Sequence, residues 1–317
     1  MFLKTVTSAS SVEFLGRDGE EGVEKVEAGM TEGVRLACIC ETGGMYEDFL
    51  PADAFTFDRA YMTLSCDTQT QALTVHGIAG DPDDVFPLAS VTKPIVAWSA
   101  LVAVEQGVLD LDAPAGPEGS TVRHLLAHAS GVPAAQGAPI AAPATRRIYS
   151  NYGFDLLGEA VERATSTPIH EWVATSIFVP LGMDSAEIRG SVAFGGRASL
   201  DSLARFAGEL LAPSLISHDL AAAAFTPQFD GLSGVLPGFG RQKNNVWGLG
   251  LEIRGEKSPH WTGADFSPRA FGHFGQSGSF VWVDPQVNKA GVFLGAKPFG
   301  EEHAAIWPAL TDQMRAA

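Results

Sequence analysis

Cysteine is scarce in this chain. Only Cys38, Cys40 and Cys66 occur in 317 residues, an odd count without framework spacing, which excludes a disulfide scaffold and fits a reduced compartment. Positive charge is also in short supply: 21 Lys and Arg stand against 37 Asp and Glu, for a formal net charge of −16. Nucleic acid and anionic membrane surfaces are thereby excluded as main partners. Membrane-spanning runs are missing. The apolar stretch Pro94 to Val104 is too short to cross a bilayer and is interrupted by Ser99. The start, Met1 to Ser8, lacks the apolar core of an export signal. Internal repeats and low-complexity tracts are absent as well. The expectation is a cytoplasmic protein.

What is present is 45% hydrophobic and 18% charged residues, enough for a large core in one or two domains. Residues 1–58 carry no chemical motif; Glu20 to Met30 reads as a polar helix and Val34 to Cys40 as a strand. Ala60 to Cys66 and Ala72 to Ile78 are β-rich runs joined by the turn Asp67-Thr68-Gln69-Thr70. Helices are expected over Val122–Ala129 (capped by Ser120), Phe154–Ala164, Ile169–Phe178 and Leu200–Leu211. Strands return at Trp247–Ile253, Ser279–Val283 and Ala290–Leu294, and a closing helix with a kink at Pro308 spans Glu302–Met314. The fold class is therefore α+β: an antiparallel sheet built from N- and C-terminal segments, flanked by helices, with an inserted helical region. The expected division is 59–115 plus 236–317 for the sheet domain and 116–235 for the helical one, with the active site between them.

The chemistry begins at Ser90. The chain after it reads as one buried helix, with Ile95, Val96, Trp98, Ala100, Leu101, Val102 and Val104 apolar on nearly every side and Gly107 as the stop. Ser90 thus sits at a helix N-terminus, where free N–H groups favour a developing oxyanion. Lys93 lies one turn on, on the same face. Pressed against an apolar helix, its ammonium is poorly solvated, which lowers its pKa and suits it to take the serine proton. Downstream stand Tyr149-Ser150-Asn151 and His273-Phe274-Gly275, the latter followed by Gln276-Ser277-Gly278. Alone, the first of these is an ordinary turn and cap, and the second a strand end. His124 and His128 have the i,i+4 spacing of zinc ligands, but no glutamate follows His124, so they read as core or surface histidines. Cys38-Ile39-Cys40 has no second ligand pair, a weak metal or redox candidate.

In combination, Ser90-Val91-Thr92-Lys93, Leu125-Leu126-Ala127-His128-Ala129-Ser130-Gly131, Tyr149-Ser150-Asn151-Tyr152-Gly153, Pro180-Leu181-Gly182-Met183 and Phe271-Gly272-His273 fall in the order of a known family. The chain from about Ala60 onward resembles the serine β-lactamase and penicillin-binding-protein superfamily, in its class C β-lactamase-like branch, which also holds DD-peptidases and esterases. The resemblance implies a β-lactamase-like fold and a serine hydrolase acting on a small ester or amide, without cofactor or metal. It implies Ser90 as nucleophile, Lys93 and Tyr149 as proton carriers, and Asn151, His273, Phe274, Gly275 and Gln276 as substrate-binding residues. The backbone N–H groups of Ser90 and Gln276 would form the oxyanion hole. In one respect the chain departs from the pattern: Phe274 stands where the third motif usually has a hydroxyl that helps hold a substrate carboxylate, so efficient β-lactam or D-Ala-D-Ala turnover is not expected. A catalytically weak relative that binds a ligand or protein partner in the same cleft is the alternative reading.

Overall fold

The computed structural model describes residues 55–67, 69–70 and 72–317. The helix expected over Glu20–Met30, the strand over Val34–Cys40, the Cys38–Cys40 pair and most of segment 1–58 lie outside the described residues.

Strands β1 (Arg59–Cys66) and β2 (Leu73–Ala79) form the expected antiparallel hairpin. A short β3 (Val85–Pro87) leads through a 3₁₀ turn, Ala89–Val91, into α1 (Thr92–Glu105). Every residue of α1 from Thr92 to Ala103 is buried, which is why its sequence is apolar on all faces. Next come α2 (Val122–Leu126) and α3 (Asn151–Thr165). The cap of α2 is Thr121 rather than the expected Ser120, and the helix stops three residues early. The expected helix over Ile169–Phe178 is composite: α4 (Ile169–Val173), a π turn over Ala174–Phe178, and α5 (Val179–Leu181) ended by Gly182.

Two short strands follow, β4 (Glu187–Ile188) and β5 (Gly196–Ser199), which pair in the order β3-β5-β4. Then come α6 (Leu200–Leu211), α7 (His218–Ala224) and the hairpin β6 (Gly234–Leu236) and β7 (Gly240–Gln242). Of the strand expected over Trp247–Ile253 only β8 (Glu252–Ile253) forms. Trp247 instead bridges antiparallel to Glu252, because Gly250 at φ +80° turns the chain back between them. The chain closes with β9 (Phe271–Gly275), β10 (Ser279–Asp284), β11 (Lys289–Gly295) and α8 (Glu301–Ala316), a helix that continues through Pro308.

The main sheet has the order β2-β1-β11-β10-β9-β8, antiparallel throughout, so strands from both ends of the described chain meet at β1 and β11. Side-chain alternation with period two sorts its residues onto two faces. Met62, Leu64, Val281, Val283, Val292 and Leu294 join the large aliphatic core with α1 and α6. Tyr61, Phe280, Trp282 and Phe293 point the other way, into an aromatic cluster capped by Trp307, Leu310 and Met314 of α8. Gly291, opposite Trp282, is the space that indole needs, since a Cβ there would lie 2.4 Å from the ring.

Candidate active site

The turn between β3 and α1 is held from several sides. Ala89 adopts φ +45°, a left-handed conformation unusual for alanine, directly before Ser90. Leu88 N donates to Gly196 O at 2.9 Å, Thr92 Oγ1 donates to Ala89 O at 2.6 Å, and Gly196 N donates to Thr92 Oγ1 at 2.9 Å. Thus β5 braces the turn that presents Ser90.

Lys93 is completely buried. Its Nζ lies 2.6 Å from Asn151 Oδ1, 2.8 Å from Ala193 O and 3.2 Å from Ser90 Oγ, and 4.7 Å from the Tyr149 ring centroid. Burial pulls its pKa down to about 7, with the Asp155 carboxylate opposing the shift. The two fixed acceptors engage two N–H groups. In the neutral amine the third direction, toward Ser90, carries a lone pair.

The Tyr149 hydroxyl is also hydrogen-bonded to Ser90, while burial raises its pKa above the usual tyrosine range. Near neutral pH it is a phenol. Its backbone is clamped on both sides. Arg147, buried, donates to Ala127 O, Asn245 O, Gln228 O and Phe229 O at 2.5–3.0 Å. His128 accepts from Ile148 N through its carbonyl (2.9 Å) and from Ser150 N through Nδ1 (3.2 Å), with its ring 4.6 Å from that of Tyr149. Burial holds His128 neutral, well below the usual histidine pKa. It is therefore a positioning residue behind Tyr149, a role its i,i+4 spacing to His124 did not suggest. His124 itself bonds Thr121 at the head of α2. Among the described residues no three His, Cys, Asp or Glu side chains converge as a metal site.

Asn151 begins α3, whose cap Ser150 accepts from Gly153 N at 2.8 Å. On β9, His273 is buried and neutral, its pKa pushed down to about 3 by burial with the Lys93 charge adding to it. Its Nδ1 donates to Phe274 O at 2.6 Å, which leaves the Nε2 lone pair without a partner. Phe274 packs into the aromatic cluster, 5.1 Å from Phe299 and 5.7 Å from Phe239. Gly275 lies so close to the turn that carries Ser90 that a Cβ would come 2.3 Å from Leu88 O and 3.2 Å from Ser90 N. Replacing it with alanine is expected to push β9 from Ser90 and lower the acylation rate about 100-fold, measured by burst kinetics with a nitrophenyl ester. A burst within a few-fold of wild type would separate this close approach from catalysis.

Ser90, Tyr149, Asn151, His273, Phe274 and Gln276 line one cavity of about 270 Å³, together with Leu236, Pro237, Trp247 and Glu252. Ser277 is not part of the lining; its hydroxyl is buried near Gly275 without a partner. Sequence reasoning missed Glu252, which no motif marked. Its carboxylate accepts from Lys257 Nζ (2.9 Å), His260 Nε2 (3.0 Å) and Trp261 Nε1 (2.8 Å).

The fold agrees with comparisons to known proteins. The sequence matches the family described as Beta-lactamase over residues 66–314. A crystal structure of a beta-lactamase from Mycobacterium bovis is 47% identical, with a TM-score of 0.80, covering 83% of this chain and 96% of that one. Esterase EstB of Burkholderia gladioli is 35% identical over 155 residues, covering 33% of this chain and 39% of the esterase. A penicillin-binding protein of Bacillus subtilis (strain 168) is 29% identical over 139 residues, covering 33% of this chain and 31% of that protein. The match thus spans only about a third of the length of these two relatives.

Proposed function

The chain belongs to the Beta-lactamase family, and from that membership and the surroundings of Ser90 we propose that it is a serine hydrolase forming a Ser90 acyl-enzyme with a small neutral or cationic ester or amide. The observation that carries this is the buried Lys93 amine, with a pKa of about 7, at 3.2 Å from Ser90 Oγ. Lys93 takes the serine proton as Oγ attacks the carbonyl. Ser90 N–H and Gln276 N–H, brought together by the close approach of Gly275, stabilise the oxyanion. The phenol of Tyr149 protonates the leaving group, and the proton held by Lys93 restores it. Water then enters by the reverse path and releases the acid.

The cavity beside Ser90 is about 270 Å³, at the small end for ligand pockets, and adjoins a larger one that shares Tyr149 and Pro237. Phe274 offers an apolar wall and no hydroxyl for a carboxylate. Neutral short-chain esters are expected to exceed cephalosporins, penicillins and D-Ala-D-Ala peptides in kcat/KM, in keeping with an action inside the cytoplasm. Covalent labelling by a fluorophosphonate, located at Ser90 by mass spectrometry, tests the acyl-enzyme directly. An unlabelled protein would favour a binding role instead.

Phe274→Thr separates specificity from packing. The hydroxyl is expected to shift the kcat/KM ratio of carboxylated to neutral esters upward by about 10-fold or more. The lost ring, buried among Phe239, Phe299 and Trp307, costs about 3 kcal/mol or more, a Tm drop of roughly 5 °C. Steady-state kinetics and a melting curve check both; an unchanged ratio in a folded variant would remove Phe274 as the cause.

A further inference from the structure

Among the described residues, Glu252 is the sole one with a formal charge in the cavity wall, beside the rings of Tyr149, Trp247 and Phe274. We infer that this wall selects substrates that carry an ammonium group. The inference rests on the Ser90 acyl-enzyme reading and concerns which esters and amides enter the site.

The carboxylate is built into place. It sits on β8, the edge strand of the main sheet, and its side chain is 3% exposed. Lys257 and His260 both donate to Oε1, and Trp261 donates to Oε2. His260 Nδ1 accepts from Thr262 N at 3.0 Å, so its proton is on Nε2, facing the carboxylate. These donors keep Glu252 ionised, well below the usual carboxylate range despite its burial, with Lys257 the largest stabilising influence. A carboxylate accepts about four hydrogen bonds. Three are supplied by the protein, and Oε2 has room for another donor.

The direction of the ion pair matters. Lys257 is not in the cavity wall; it lies behind Glu252, donating also to Val246 O and Ile253 O. The pair therefore turns its negative end toward the substrate. Lys93 is likewise outside the lining, and among the described residues no Lys or Arg lines the cavity. His273 is neutral. An ammonium group in this space meets a carboxylate and aromatic faces, an arrangement that attracts cations by charge and by the ring quadrupoles. A substrate carboxylate meets like charge and, among the described residues of the wall, no cation in compensation.

The test uses matched acetate esters of 2-(dimethylammonio)ethanol, 3-methylbutanol and 3-hydroxypropanoate, which share a shape and differ in charge. A second trio places the same groups on the acyl side of methyl esters. In at least one trio the ammonium ester is expected to exceed the neutral one in kcat/KM by about 10-fold, the lower end for a hydrogen bond to a charged group because Lys257 shares the carboxylate. The carboxylated ester is expected to be the poorest. In Glu252→Gln the preference is expected to collapse toward unity. If that variant does not fold, the wild-type order decides. Equal or reversed order in both trios would overturn the inference, as would a full preference in folded Glu252→Gln. Fluorophosphonate labelling of Ser90 keeps the two readings apart: labelling without charge preference overturns this inference alone, and absence of both labelling and hydrolysis overturns both.

Discussion

Replacing Ser90 with alanine is expected to abolish ester hydrolysis and fluorophosphonate labelling together, with the fold intact. The loss should be on the order of 10⁴- to 10⁶-fold, the range seen when a serine nucleophile is removed from an otherwise complete site. The structure explains why the fold should tolerate it. The half-buried Ser90 side chain contacts Lys93 and Tyr149, and Lys93 keeps its two other acceptors, Asn151 Oδ1 and Ala193 O. The turn itself is fastened by Leu88, Thr92 and Gly196, none of which depends on the serine hydroxyl. The measurements are nitrophenyl ester turnover, intact-protein mass after labelling, and a melting curve. A variant that turns over the ester at the wild-type rate would place the nucleophile elsewhere.

How far the sequence discloses this site depends on where the physical constraints are local. Helix α1 was legible because burial on every face demands apolar residues at every position, and that demand is written in consecutive residues. The same holds for α6, whose apolar stripe faces the sheet, and for β10 and β11, where alternation sends aliphatics one way and aromatics the other. Strand β9 was harder. Phe-Gly-His-Phe-Gly has no β-branched residue and two glycines, and its strand character comes from pairing with β10. Its glycine 275 is required by Leu88 and Ser90, 187 and 185 positions away in sequence, which no local pattern records.

The charged wall lay beyond reach for a related reason. Glu252, Lys257, His260 and Trp261 converge through an irregular segment, so their spacing follows no helix or strand period. The hairpin β6–β7 and helix α7 escaped similarly, the first because its glycines read as loop, the second because it is seven residues long. His128 presented a different difficulty. It lies at φ +53° just past α2, a left-handed position that a non-glycine residue does not advertise. Only the fold reveals that its carbonyl and Nδ1 straddle Tyr149.

Lys93 gives the second large effect, and its pH dependence distinguishes it from Tyr149. An amine acts as a base only when neutral. With a pKa of about 7, the active fraction is small below neutral pH, one half near pH 7 and nearly complete two units higher, so kcat/KM is expected to rise with pH through an acid limb near 7. Tyr149 cannot supply that limb, since burial drives its pKa upward, away from neutrality. His273, with a pKa of about 3, is neutral throughout and does not contribute. Lys93→Ala should lower kcat/KM by about 10²- to 10⁴-fold and remove the limb. Tyr149→Phe should lower the rate by a comparable factor and leave the limb in place. Both side chains hydrogen-bond Ser90, so on a shared proton path the double variant should lose far less than the product of the single losses. A pH–rate profile of the wild type and the three variants on one neutral ester decides the matter. An acid limb that survives Lys93→Ala, or losses that multiply in full, would show that the two side chains do not share one proton path.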